Sequence, residues 1–133
     1  MNRLIAATLA ALTLLMGCGR GSGPSPEQVA VKWRWAFEKG DAATEWELRA
    51  PGTRGSEDRA AGIAFLRSLY KPLTPDHQVV AIKATRTVKD TSDPKNTFVF
   101  LYLQVTERAY PPGQETVTLR KVGGAWRVAK WQP

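Results

Sequence analysis

Between residues 25 and 40 the apolar positions recur every three or four residues, which is the spacing of an amphipathic helix. Ser25-Pro26-Glu27-Gln28 predicts the start of this helix, because a capping serine, a proline in the first turn and a glutamine three residues after the cap form a capping box. Gly40 is placed to end the helix, since glycine readily adopts the left-handed conformation that closes helices. The predicted apolar face carries Val29, Trp33, Ala36 and Phe37.

Two further helices are predicted from the segment that follows. Asp41 can cap a short helix that runs to about Arg49, and Pro51 stops it. Ser56 is expected to cap a third helix, which ends before Pro72. The apolar face of this third helix is predicted to carry Ile63, Leu66, Leu69 and Tyr70.

The second half of the chain has the pattern of strands. Strands are predicted at residues 77–89, 97–107, 115–122 and 125–132. In the first strand the alternation places four apolar residues on one face, namely Val80, Ile82, Ala84 and Val88. The second strand is apolar on both faces and is expected inside the sheet. Tyr110-Pro111-Pro112-Gly113 predicts a turn, and Gly123-Gly124 predicts a two-residue hairpin. Helices followed by an antiparallel meander indicate an α+β fold, with the helices packed on one face of a four-stranded antiparallel sheet.

The amino terminus has the pattern of an export signal. Met1-Asn2-Arg3 is a short positive region, and residues 4–16 form an uncharged run that is too short to span a bilayer. Leu15-Met16-Gly17-Cys18 resembles the lipobox of bacterial lipoproteins. That resemblance implies lipidation of Cys18, cleavage before it, and acylation of the new amino group. Gly19 stands where many inner-membrane lipoproteins carry aspartate, so we expect the outer membrane, facing the periplasm, in a Gram-negative cell.

The remaining domain resembles the NTF2-like superfamily, whose fold is an α+β cone. The resemblance rests on Gly40-Asp41 between two helices, on Trp46 after it, and on the ending Val122-Gly123-Gly124-Ala125-Trp126-Arg127-Val128. It implies helices packed on a curved sheet around a cavity. Superfamily members include enzymes, ligand binders and scaffolding domains of the envelope, so the fold alone does not assign a function. The chain is thereby divided into a signal peptide at residues 1–17, a lipidated Cys18 with its tether at residues 18–24, and an NTF2-like domain at residues 25–133.

Composition and charge limit the kinds of partner. The chain has 133 residues, 43% of them hydrophobic, and a net charge of +7, which favours acidic partners. Nucleic acid is not expected, because an exported protein seldom meets it. Cys18 is the single cysteine, so the chain cannot form an internal disulfide or a cysteine metal cluster.

Residues for catalysis are sparse. His77, the single histidine, could serve as a general base, but it lies where a loop enters a strand and is expected to be exposed. Glu107 and Glu115 are placed near strand ends, and no carboxylate is expected to face inwards from mid-strand. Glu45 and Arg49 are one helical turn apart and are expected to form an ion pair on the helix surface. No catalytic residues, metal site or cofactor are therefore predicted.

Aromatic and polar residues supply the candidates for binding. Trp33 and Trp35 cannot share one helix face, and Trp126 and Trp131, five positions apart, are expected on opposite faces of the last strand. Trp35 and Trp131 are the candidates for an exposed interaction surface, where tryptophan beside basic residues is typical. Three polar strand residues are the candidates for lining a cone cavity, namely Arg86, Tyr102 and Gln104.

Together these features favour a lipid-anchored, non-enzymatic binding domain of the cell envelope. We expect it to attach to the membrane through its lipid and to bind an envelope protein, either as an assembly or secretion accessory or as an inhibitor or immunity protein. The alternative is a binder of an apolar small molecule in the cone cavity. A third interpretation is an NTF2-like isomerase or dehydratase.

Overall fold

The computed structural model describes residues 23–72, 78–105 and 113–133. It confirms the predicted α+β fold, with three helices and a four-stranded antiparallel sheet. The elements in chain order are α1 (Pro26–Lys39), α2 (Ala42–Leu48), α3 (Arg59–Leu69), β1 (Val79–Lys89), β2 (Asn96–Val105), β3 (Gly113–Val122) and β4 (Ala125–Gln132).

The first helix begins and ends where the sequence predicts. The Ser25 hydroxyl accepts a hydrogen bond from the backbone N–H of Gln28 at 3.2 Å, and the Gln28 side chain accepts one from the Ser25 N–H at 2.9 Å. This reciprocal pair is the predicted capping box, which satisfies amide groups that the first turn leaves without helical partners. Gly40 closes the helix with φ at 68°, a backbone conformation that favours glycine.

The second helix is capped as predicted, whereas the third is capped two residues later. The Asp41 carboxylate accepts a hydrogen bond from the Thr44 N–H at 3.1 Å. For α3 the predicted cap, Ser56, is wrong: Asp58 caps the helix by accepting from the Ala61 N–H at 2.9 Å. Ser56 instead accepts from the N–H of Asp58 at 3.2 Å, so it shapes the turn that leads into the helix.

A close approach between α2 and α3 depends on a glycine. The Trp46 indole N–H donates to the backbone carbonyl of Ser56 at 3.0 Å and lies against Gly62 in α3. Ile63 and Leu66 complete this small core. Leu69, predicted on the same apolar face, is 52% exposed because α3 packs on α2 and leaves its far end uncovered.

The sheet has the order β1-β2-β3-β4, so β2 lies inside it as predicted. Helix α1 crosses one face and contacts all four strands. Between that face and α1 lies the main core, made by Val29, Ala30, Trp33, Ile82, Val99, Leu101, Leu103, Val117, Leu119 and Val128. The segment after α2 is fixed to the edge of β4, because the Ala50 N–H donates to the Val128 carbonyl at 2.7 Å.

Bulges overturn two predictions about strand faces. In β1 the register shifts before Ala81 and before Arg86, so Val80 is 49% exposed and Val88 lies opposite Phe98 rather than on the face of Ile82. The strands therefore do not alternate uninterrupted.

The bulge in β4 has the larger effect. Thr118 pairs with Lys130 and Leu119 pairs with Val128, which leaves Ala129 without a partner. The extra residue shifts the alternation by one position, so Trp126 and Trp131 both pack against the main core. Their expected placement on opposite faces is wrong for this reason.

Candidate functional site

Aromatic side chains fill the space between α1 and the carboxyl end of β4. Trp33 is fully buried, and its ring lies 6.0 Å from Phe37 and 5.9 Å from Trp131, measured between ring centroids. Phe37 and Trp131 are 5.1 Å apart. Offset and edge-on arrangements at these distances are favourable contacts between aromatic rings. This part of the interior, where the resemblance implied a cavity, is occupied by side chains.

A buried ion pair lies beside these rings. The Arg34 guanidinium donates from Nε to Oε2 of Glu115 at 2.6 Å and from Nη2 to Oε1 at 3.0 Å, and it also pairs with Glu38. The indole N–H of Trp131 donates to Oε2 of Glu115 at 2.8 Å. Burial alone would lower the pKa of Arg34, but the hydrogen bonds and charges of Glu115 and Glu38 outweigh it and raise that pKa. Arg34 therefore stays charged in the interior.

Glu115, which the sequence placed near a strand end, faces inwards from the third residue of β3. It lies in register with Leu101 and on the same strand face as Val117 and Leu119. The sequence contained this information, because residues 115, 117 and 119 are two positions apart and therefore project from the same face of a strand. Both carboxylate oxygens of Glu115 are occupied by Arg34, and Trp131 adds a third hydrogen bond. The arrangement ties α1 to β3 and β4, which is a structural role.

The pair of Glu45 and Arg49 is also more buried than predicted. Glu45 is 5% exposed, and its Oε1 accepts from Nη2 of Arg49 at 2.8 Å and from Nε at 3.1 Å. The Arg49 guanidinium lies 5.1 Å from the ring centroid of Trp33. The predicted ion pair is confirmed, but its expected place on the helix surface is wrong, because the bridge between Arg49 and Val128 holds the end of α2 against the core.

The opposite face of the sheet carries a row of aromatic residues that no described helix covers. Phe98, Phe100 and Tyr102 alternate with the buried residues of β2, so they project from the face away from α1. Phe98 and Phe100 are half-buried between neighbouring strands, and Tyr102 is 38% exposed. We call these three residues the aromatic ridge.

Basic residues flank the aromatic ridge on both sides. Lys83 lies opposite Tyr102 and Arg86 opposite Phe100, whose ring centroid is 4.5 Å from the Arg86 guanidinium carbon. On the far side, Lys130 lies two strands from Phe98 in the same cross-strand row, with Thr118 between them. Among the described strand residues Glu115 is the only acid, and it faces the helices. This face is therefore aromatic and basic, and we call the ridge with these three flanking bases the open face.

The three residues predicted to line a cavity all lie on the open side of the sheet. Tyr102 and Gln104 alternate with the buried Leu101 and Leu103, and Arg86 stacks on Phe100. They therefore do not line a space beneath the helices. The expected inward orientation failed for Arg86 because the bulge before it changes the face on which the end of β1 projects.

The two tryptophans predicted for an interaction surface are separated by the fold. Trp35 is half-buried at the end of α1, with the Lys39 ammonium 5.3 Å from its ring centroid. It lines a groove of about 270 Å³ together with Tyr70 and Val79. Trp131 lies between α1 and the sheet, where its indole N–H is bonded to Glu115. The pair does not form one surface.

The structure does not describe several of the residues to which the sequence assigned a role. Cys18, the signal peptide at residues 1–17, His77 and the turn at Tyr110-Pro111-Pro112 lie outside the described residues. Within the described ranges there is no cluster of three or more side chains suited to holding a metal ion. None of the helices in the described part of the chain is long and apolar enough to cross a membrane.

Comparisons with known proteins show a shared fold. No protein-family model matches the chain, and no curated protein matches it significantly. A SEC-C motif containing protein from Rhodopseudomonas palustris is similar in structure, with a TM-score of 0.52 and 15% identity over 81% of this chain and 77% of that chain. A DUF4783 family protein from Bacteroides uniformis gives a TM-score of 0.44 and 13% identity over 73% of this chain and 87% of its own. The first likeness shows the fold alone, and membership of the NTF2-like superfamily stays a prediction.

Proposed function

We propose that this chain is a lipid-anchored, non-enzymatic binding domain of the bacterial envelope, and that the open face binds an acidic partner protein. The observation that carries the proposal is the aromatic ridge, flanked by Lys83, Arg86 and Lys130 and free of acids from the described strands. Aromatic and arginine side chains on one surface are typical of protein-binding hot spots. The partner would be an assembly or secretion component, or a toxin that the domain inhibits.

The shape of the open face favours a protein over a small molecule. Sites for small molecules are concave and enclose most of the ligand, whereas a sheet face offers a broad and shallow surface. The alternative, an apolar ligand inside the cone, finds little support, because Trp33, Phe37 and Trp131 fill the interior beside α1. The buried acid there, Glu115, is engaged by Arg34 and Trp131 and is not available as a general base.

The anchor part of the proposal rests on the lipobox at Leu15-Met16-Gly17-Cys18. Two acyl chains or more on Cys18 would hold the domain stably, since each buried methylene contributes about 0.8 kcal/mol. Labelling of cells with a radioactive fatty acid tests this directly. The wild-type chain should incorporate label and lose residues 1–17, while Cys18→Ser should do neither. Label on the Cys18→Ser chain would refute lipidation at this residue.

Charge reversal on the open face tests the binding part of the proposal. The bait is the lipidated chain in detergent, used to capture proteins from solubilised envelope of its own cell. Arg86→Glu combined with Lys130→Glu should abolish capture of a stoichiometric partner, because the two charges on either side of the aromatic ridge would repel an acidic surface.

The matched control makes the same change in net charge elsewhere. Lys39→Glu combined with Lys71→Glu alters residues at the ends of α1 and α3, away from the open face. This control should capture the partner as the wild type does. Equal capture by all three baits, or equal loss in both variants, would exclude the open face as the binding surface.

A further inference from the structure

The described chain enters the domain beside the hairpin between β3 and β4. Gly23, Pro24 and Ser25 line one groove of about 280 Å³ together with Lys121 and Trp126. Helix α1 starts at this point and extends about 21 Å over its 14 residues, so Lys39 lies at the other end of the domain.

The distance from the proposed lipid to this end is short. Cys18 and Gly23 are five residues apart, and a fully extended chain of that length spans at most about 18 Å. A lipid on Cys18 therefore keeps the hairpin near the bilayer surface. An orientation in which the strands run away from the membrane would leave the open face accessible to a partner.

Basic residues are concentrated at this end of the sheet. The backbone N–H of Lys121 donates to the Lys95 carbonyl at 3.4 Å, which brings the loop between β1 and β2 next to the hairpin. Arg120 and Arg127 are directly opposite in neighbouring strands, and Nε of Arg120 donates to the Asn96 side chain at 3.1 Å. We call Lys95, Arg120, Lys121 and Arg127 the basic tip.

Two features of the basic tip favour an anionic ligand. Like charges directly opposite in a sheet are destabilising, and a bound anion would relieve the repulsion between Arg120 and Arg127. The acids nearby, Asp90 and Asp93, accept hydrogen bonds within their own loop and offset Lys89 and Lys95 in number. The excess positive charge is therefore that of the hairpin.

We propose that the basic tip binds anionic phospholipid headgroups and so fixes the orientation of the domain on the membrane. This inference rests on the lipid anchor of the proposed function. A lipid chain and a cluster of basic residues together form a stable two-part attachment. Each basic side chain near an anionic surface contributes a modest attraction that decays within a Debye length, so the nearness imposed by the short tether is what makes it effective.

The test attaches the chain to vesicles in a defined way. Cys18 is the single cysteine, so the chain from Cys18 to Pro133 can be coupled through that thiol to a maleimide-bearing phospholipid. Lysine acetylation is then followed by mass spectrometry on vesicles of phosphatidylcholine alone and on vesicles that contain phosphatidylglycerol. Lys95 and Lys121 should react about three-fold or more slowly on the anionic vesicles, and salt should remove the difference. Lys39 and Lys71, at the other end of the domain, should react equally on both.

Variants separate the tip from the rest of the basic surface. Arg120→Gln with Arg127→Gln should abolish the protection of Lys95 and Lys121, whereas Lys83→Gln with Lys130→Gln on the open face should retain it. Equal rates on both vesicles, or protection that survives the tip variant, would overturn the proposal. The synthetic attachment makes this outcome independent of lipidation in the cell and of any protein partner, so its failure is distinguishable from failure of the proposed function.

Discussion

Arg34 and Glu115 are 81 residues apart in the chain and form a two-point ion pair between α1 and β3. Their side chains are 6% and 11% exposed, so both charges are largely removed from water. A charge in such a position is stable only when its partner is present, because the remaining group would keep the full cost of desolvation. The pair therefore fixes where α1 crosses the sheet.

Replacement of both members should cost less than the sum of the two single replacements. Glu115→Leu should lower the free energy of unfolding by about 3–5 kcal/mol, since Arg34 would retain Glu38 alone. Glu115→Leu combined with Arg34→Met should cost less than the sum of the two single changes, because the two groups stabilise each other, although Glu38 also loses its partner. Urea unfolding of the wild type, the two single variants and the double variant measures this coupling.

An exposed pair serves as the control. Arg59 and Glu47 lie 2.9 Å apart with side chains 60% and 55% exposed. Arg59→Ala should change stability by less than about 1 kcal/mol. If Glu115→Leu and Arg34→Met were simply additive, the interpretation of the pair as a coupled structural unit would be incorrect.

The tryptophans should differ in their contributions to stability. Trp33 is fully buried, whereas Trp126 is half-buried at the edge of the core. Trp33→Ala should cost about 3–5 kcal/mol or prevent folding, and Trp126→Ala should cost distinctly less. Thermal unfolding followed by circular dichroism gives the order. The reverse order would contradict the full burial of Trp33 and the half-buried position of Trp126.

Gly62 should resist a change that normally favours helices. Alanine is the better helix former by about 1 kcal/mol, yet a Cβ at residue 62 would lie 2.6 Å from the Ser56 carbonyl oxygen and would collide with the Trp46 indole. Gly62→Ala should therefore destabilise the protein and increase amide exchange in α3. Gly113→Ala, where a Cβ has open space, is the control and should be close to neutral. Stabilisation by Gly62→Ala would contradict the close packing of Trp46 on α3.

Acid should destabilise the chain in part through Asp41. Hydrogen bonds from Thr44 lower the pKa of this carboxyl in the folded state. Because the pKa is lower in the folded state than in the unfolded state, the ionised carboxylate stabilises the fold. This stability is present above the unfolded pKa of about 4 and is lost as the pH falls through the folded pKa. Asn caps helices as well as Asp does, so Asp41→Asn should match the wild type within a few tenths of a kcal/mol at pH 7.

The two chains should then diverge in acid. Below about pH 4 the wild type should lose more stability than Asp41→Asn, because only the wild type must protonate its cap. Unfolding by urea at several pH values provides the comparison. Parallel losses in the two chains would mean that Asp41 does not contribute to the acid sensitivity.

Local patterns in the sequence were sufficient to predict the helices and the fold class. Ser25, Gln28 and Gly40 act through contacts within a few residues, and the spacing of apolar positions is itself local. Asp58, and not Ser56, caps α3. Serine and aspartate can both accept a hydrogen bond from a backbone N–H of the first turn, and the packing of Trp46 sets where α3 begins.

The strand faces could not be predicted in the same way. A bulge such as that at Ala129 depends on pairing between strands, and one extra residue inverts every later side chain. The candidate surface changed accordingly from Trp35 and Trp131 to the open face. Its aromatic ridge was nevertheless visible in the sequence, since a strand that is apolar on both faces leaves one apolar face outside when helices cover only the other.

Site-specific photocrosslinking in living cells tests directly whether a protein binds the open face. A benzophenone amino acid is placed at Tyr102 on the open face, or at Arg59 on the helical side as the control. We expect a light-dependent adduct of one defined mass at Tyr102 and none at Arg59. An adduct at Arg59 alone, or at neither position in cells that contain the lipidated chain, would contradict a protein-binding role for the open face.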